Sequence, residues 1–290
     1  MNVSNVIRRY SLVVFVAAVG VILFGMFFLV PMFLLLRTSF WQYAPNLGSM
    51  RYMRPAFTLE NYANVLTGAY LDIDILTIRI GLVCTVAAVT LSYPLAYWFA
   101  RYNGHANLKR FVLITLIASF LVGTIARVFA WFMMLTGGGF VNALISLFGL
   151  ERVRFLGTEL AIELCQVQYL MSIATLSLIS PLKNVDPRLE EASKSLGAEE
   201  IRTFLNVTLP LSLPGIVASS LLCFAVSVSA FVTPMVLGKG AILMVSNMVY
   251  TYYLDISNYP LGSAFAVVLL LTSFISMYVL EKVLLSRVRI

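Results

Sequence analysis

Four charged residues stand inside or at the edge of long apolar runs: Arg79, Arg127, Glu159 and Glu163. A charge near the centre of a membrane helix costs about 2.5–3.5 kcal/mol even on the lenient insertion scale, so such groups face protein or water rather than lipid. Two chemistries are open to them. Two guanidiniums and two carboxylates at similar depth can pair and hold helices together, or they can line a solute path and its outer gate. Glu163, with Gln166 one turn along, is the better pathway pair, because a carboxylate there favours a cationic or zwitterionic solute. Asp255, beside Tyr252 and Tyr253, is a further candidate for contact with solute or an external protein. No nucleophile, base and orienting group recur together, so no catalytic residue is assigned. Cys84, Cys165 and Cys223 lie singly in apolar runs, which gives neither a disulfide framework nor paired metal ligands. Gly137-Gly138-Gly139 and Gly238-Lys239-Gly240 lack the G-x-x-x-x-G-K-[ST] spacing that cradles phosphates, so no cofactor is expected in this chain.

A second constellation is the charged stretch EEASKSLGAEEIRTFLNVTLPLS, Glu190 to Ser212. Asp186 is a ready N-cap and Pro187 suits the first helical position, which predicts a helix over Arg188–Leu196. Gly197 ends it, since glycine takes the left-handed conformation without a Cβ clash. Ala198–Asn206 is expected as a second short helix, with Pro210 and Pro214 marking its exit. Leu189, Ala192 and Leu196 share one face of the first helix, with Glu190, Glu191 and Lys194 around it. Ile201, Phe204 and Leu205 do the same on the second. Helices this short do not persist alone in water, so they need a partner surface.

The elements that position these groups are membrane spans. The 290 residues are 60% hydrophobic and only 11% charged, with a mean hydropathy of +0.93. A bilayer core needs about 20 mostly apolar residues per helix. Six segments qualify: 11–35, 78–99, 111–135, 160–182, 211–232 and 261–280, within a single transmembrane domain over 1–290. Lys and Arg flanking spans stay on the cytoplasmic side. Arg8, Arg9, Arg101, Lys109, Arg110, Lys183, Arg188, Lys194, Arg202, Lys282, Arg287 and Arg289 fall on one side, against six on the other. Both termini and the loop over 183–210 are therefore expected inside. Arg8-Arg9 before an apolar run also fits the start of an export signal, but the absence of an A-x-A pattern favours a retained span. Basic residues spread between spans point to a bilayer rather than to nucleic acid. Outside, Leu59–Leu66 is expected as a short helix capped by Thr58, and Phe140–Leu150 as an interfacial helix.

Glu191-Ala192-Ser193, three residues, Gly197, nine residues and Val207-Thr208-Leu209-Pro210 resemble the E-A-A, x3, G, x9, I-x-L-P signature of ABC importer permease subunits. Ser193 replaces the second alanine and Val207 the isoleucine. Arg127–Trp131, Gly139–Gly149, Phe231–Gly238 and Tyr259–Ala266 look like stretches of the polyamine-type permeases, which serve spermidine and putrescine importers. The likeness runs from about Phe57 onward. It implies an all-α membrane protein with six transmembrane helices in the type I ABC importer permease fold. Leu189, Glu191, Ala192, Ser193, Leu196, Gly197 and Pro210 would then form the coupling segment.

The resemblance further implies a bacterial inner-membrane location, a second, different permease subunit, two copies of a cytoplasmic ATPase that bind ATP and Mg, and an extracytoplasmic solute-binding protein. The outer loops Ala44–Asp74 and Leu150–Glu159 would meet that protein. The alternative is a self-contained secondary transporter or channel, which would carry two related halves or acidic relays deep in several spans. A membrane enzyme is the third reading.

Overall fold

The computed structural model describes residues 14, 17–45, 53–102, 104 and 106–286. The chain, read from sequence as one permease domain, divides by its close contacts into two compact units: residues 1–67 with 249–268, and residues 68–248 with 269–290. Six helical segments are long and apolar enough to cross a membrane.

In the first unit, α1 (Ala17–Ser39) contains a wide π-type turn at Gly25–Leu29. The start expected for this span, residues 11–13, 15 and 16, lies outside the described residues. A two-residue ribbon, β1 (Gln42–Tyr43) antiparallel to β2 (Met53–Arg54), follows α1. It leads to α2 (Glu60–Val65), where the Thr58 hydroxyl accepts the Glu60 N–H at 3.1 Å, as its capping type suggested. The Asn61 amide donates to the carbonyls of Ser39 and Trp41 at 2.9 and 2.8 Å, fixing α2 to the end of α1.

The second unit is built on three helices: α3 (Ala69–Arg101), α7 (Glu159–Asn184) and α9 (Glu200–Val228). Between α3 and α7 the chain forms α4 (Ala106–Leu121), α5 (Thr124–Leu135) and α6 (Phe140–Leu147). α8 (Pro187–Ser195) joins α7 to α9. Beyond α9 come α10 (Val232–Leu237) and α11 (Val245–Tyr250), and then α12 (Tyr259–Ser286); residues 249–268 of these belong to the first unit and the rest to the second. Lipid gives apolar helices little reason to associate, so close backbone approach and hydroxyl bonds do that work. Ile80, Cys84 and Ala88 of α3 meet Ala161, Ile162 and Ala174 of α7 and Cys223 of α9 in a fully buried cluster. Ser92 of α3 donates to the Met171 carbonyl of α7 at 3.0 Å, and Ser177 of α7 to the Ser219 hydroxyl of α9 at 2.8 Å. A Cβ on Gly215 of α9 would stand 2.4 Å from the Pro181 Cβ of α7.

Three sequence expectations need correction. The second span starts at Ala69, not Ile78, and takes in Asp72 and Asp74, which were assigned to the outer loop. Asp74 is buried and accepts a hydrogen bond from Thr272 at 3.2 Å, which is how the helix carries an acid inward. The third span, expected as one helix over Phe111–Leu135, is broken between α4 and α5, and the segment long and apolar enough to cross a membrane here is Thr124–Leu147. Gly123 adopts an extended conformation (φ −57°, ψ 142°), and Arg127 satisfies the carbonyls freed by the break. The fifth span starts at Glu200 instead of Leu211 and ends at Val228 instead of Val232. The second short helix over Ala198–Asn206 is thus the beginning of α9, which passes through a π-type turn at Phe204–Thr208. Pro210 has no N–H to give to the carbonyl four residues before it, and a widened turn ahead of it accommodates that loss.

Replacing Gly215 with Leu forces α7 and α9 apart and is expected to cost roughly 1–3 kcal/mol, as overpacking of a close contact does. The detergent-solubilised variant should melt several degrees lower, while Gly137→Ala, whose added Cβ meets nothing within 4 Å, should leave the midpoint unchanged.

Candidate coupling site and solute pathway

The Asp186 carboxylate accepts the Arg188 N–H at 2.9 Å and starts α8, and Gly197 closes the segment with φ +85°. That is the left-handed region, where a Cβ costs roughly 1–2 kcal/mol. Two bonds tie α8 to the start of α9. The Ser193 and Thr203 hydroxyls lie 3.1 Å apart, and Lys194 donates to Glu200 at 3.0 Å. The bond to Glu200 pushes the pKa of the Lys194 ammonium up. Leu189, Glu191 and Ala192 are exposed, and Leu196 and Ile201 are 90% and 71% exposed. An apolar face this open on a charged segment is an unusual thing to leave in water.

The residue that fixes α8 to the bundle is Glu190, with Arg101 at the end of α3 as its partner. Sequence reasoning had noted Glu190 only as a surface charge and Arg101 only as a topological one. Their side chains are 12% and 16% exposed. Arg101 donates to Glu190 Oε1 through Nε at 3.1 Å and Nη2 at 2.7 Å, and Thr208 donates to the same oxygen at 2.8 Å. Tyr97 and Thr208 were likewise not singled out, and no periodic signal could have found them, since Arg101 and Glu190 are 89 positions apart.

The residues assigned to a solute path do not form one cluster. Arg79 and Glu159 are an ion pair joining α3 to α7, and Glu163 lies one turn along α7, half-buried. Arg127, expected at the same depth as a possible ion-pair partner, instead donates to the Val122 and Ser119 carbonyls at 2.5 and 3.4 Å. Its guanidinium also lies 3.8 Å from the Tyr169 ring centroid, and its buried Nε has no hydrogen-bond partner. The last carbonyls of a helix carry partial negative charge, so the break in the third span supplies what a carboxylate would have supplied. Gln166 is buried, with Oε1 accepting from the Ser227 hydroxyl. Arg127 and Gln166 line one cavity of about 270 Å³ with Tyr169, Ser227, Phe231 and Thr233. Asp255 is exposed in the first unit, at the end of the π-type turn Thr251–Asp255. Among the described residues no group of His, Cys, Asp and Glu could hold a metal ion.

No family model matches the chain. It is 26% identical over 263 residues to the spermidine/putrescine transport system permease protein PotB of Salmonella typhimurium, covering 90% of this chain and 89% of that one. The protein of the same name from Haemophilus influenzae is 29% identical over 265 residues, covering 90% and 91%. An inner membrane ABC transporter permease protein of Escherichia coli, YdcU, is 29% identical over 227 residues, covering 74% and 72%. Among solved structures, a chain of a bacterial ABC transporter that imports the acidic polysaccharide alginate superposes with a TM-score of 0.79 at 15% identity. The match covers 99% of both chains. The chain is thus similar in sequence to permease proteins of ABC transport systems and has the fold of an ABC transporter chain.

Arg127→Met removes the donor that satisfies the broken third span and is expected to destabilise the solubilised protein by about 1–3 kcal/mol, the cost of leaving buried acceptors unmade. Thermal melting should place Arg127→Lys between this variant and the parent.

Proposed function

We propose that this subunit forms half of an import pathway in a bacterial inner membrane and receives its driving force through α8. The other half is a second, different permease subunit; two copies of a cytoplasmic ATPase bind ATP and Mg; an external solute-binding protein delivers the solute. The observation that carries this reading is the two-sided build of α8. Leu189 of α8 and Leu196 just after it are open, as is Ile201 at the start of α9, while Glu190 is held against the bundle. A groove on an ATPase that accepts the open side would bury apolar surface at the centre of the contact, where interfaces gain most. Glu191, exposed beside it, can meet a basic residue there. The Lys and Arg bias across the spans puts α8 on the cytoplasmic side, where such an ATPase resides.

The solute is small and cationic or zwitterionic, such as a polyamine. The relatives named for spermidine and putrescine support this, as does the charge around Arg79, where Glu159 and Glu163 set two carboxylates against one guanidinium. The 270 Å³ cavity, with Gln166, Tyr169 and Ser227 on its wall and Arg127 as its charged residue, has room for a small molecule between spans.

Purified with its partners and placed in proteoliposomes, the complex should take up labelled putrescine or spermidine only with ATP and the binding protein present. Uptake by this chain alone would overturn the reading. Gly197→Asp, which adds a side chain at φ +85°, should insert normally but copurify with less ATPase and lose most uptake. Normal assembly and uptake by that variant would rule out α8 as the docking element.

A further inference from the structure

One carboxylate gathers four parts of the fold. Glu190 on α8 accepts from Arg101 and, at the long distance of 3.4 Å, from Tyr97, both in the last turns of α3. It also accepts from Thr208 in the π-type turn of α9. Arg101 Nη2 donates in addition to the carbonyl of Val185, which ends α7, at 2.9 Å. The polar links that α8 makes to α3 among the described residues all end on Glu190.

Without that node, α8 is attached by two turns and by its Ser193 and Lys194 bonds to the adjoining start of α9. On one side is Asp186 in an extended conformation, on the other Gly197 at φ +85°. Turns of this kind bend when pushed. The chain offers no such connection to α3, which is distant in sequence and is bound to α8 by side chains alone. The pair is also unlike its neighbour Lys194–Glu200, whose side chains are 48% and 87% exposed and whose attraction water and salt largely cancel. Arg101 and Glu190 are shielded, and the two-pronged bond fixes direction as well as distance.

We propose that Arg101 is a positioning residue for coupling: it pins α8 to the inner end of α3, so that displacement of the docked helix reaches the second span directly and not only the fifth. The proposal rests on the reading of α8 as the docking element. Its specific content is that a residue outside the signature loop sets how much transport each hydrolysed ATP yields.

The test uses the complete complex in proteoliposomes, measuring ATP hydrolysis and polyamine uptake side by side. Arg101→Gln and Glu190→Gln should still assemble and hydrolyse ATP, with uptake per ATP reduced about tenfold, within the usual range of coupling between sites. Arg101→Lys keeps the charge but loses the fork, and should fall between. The exchanged pair Arg101→Glu with Glu190→Arg should transport better than either reversal alone. Lys194→Ala, at the exposed pair, should match the parent. Parental uptake per ATP in Arg101→Gln and Arg101→Lys would overturn the proposal. If the Gln variants fail to assemble, Arg101→Lys decides alone: intermediate coupling supports the pin and parental coupling removes it. A parent chain that never retains an ATPase would defeat the functional reading itself, whereas equal coupling in parent and variants defeats only the pin.

Discussion

A bilayer has no water to offer an unpaired carbonyl or N–H, and each such group left open in hydrocarbon costs several kcal/mol. That constraint accounts for the long helices of this chain, and also for how their interruptions are repaired. Where the third span breaks at Gly123, the exposed carbonyls of α4 are met by the guanidinium of Arg127 from the next helix. Where Asp74 enters the second span, Thr272 supplies a hydroxyl. Polar side chains inside the spans serve the backbone and one another, as Ser227 does in donating to Gln166.

The same economy separates two polar systems along α3. Near one end, Arg79 and the carboxylates of α7 are partly open. At the other, Arg101 and Glu190 are closed off and satisfied several times over. An open pair suits recognition, because its partners are replaceable; a closed one suits mechanical linkage, because breaking it leaves a charge without solvent. Between them, the Gly, Ala and Ser contacts of α3, α7 and α9 keep the three helices closely packed.

Much of this was legible in the residues. Long apolar runs mark the spans, and the coupling segment carries its signals locally: Asp186 and Pro187 at its start, Gly197 at its turn. What escaped is what depends on distance in sequence. Asp72 and Asp74 read as loop because the partner of Asp74 is 198 positions away. Gly123 alone in an apolar stretch is no signal for a break, since membrane helices tolerate glycine. Arg127 read as an ion-pair partner because sequence shows charge and depth but not which carbonyls a break will leave bare. Glu190 was overshadowed by Glu191, the residue that carries the family resemblance, although Glu190 is the one held by the fold.

The π-type turn at Phe204–Thr208 has a mechanical meaning of its own. It winds one residue more into its loop than an α-helix would, so it stores a small surplus of chain at the root of the fifth span. If that surplus were taken up into regular winding, the segment on one side would rotate by roughly 100° and shift about 1.5 Å against the other. Pro210, lacking an N–H, hinders the bulge from travelling deeper into the span, while Thr208 holds its upper edge to Glu190. The fifth span therefore begins with one surplus residue of winding, fixed on the side that runs into its long apolar body.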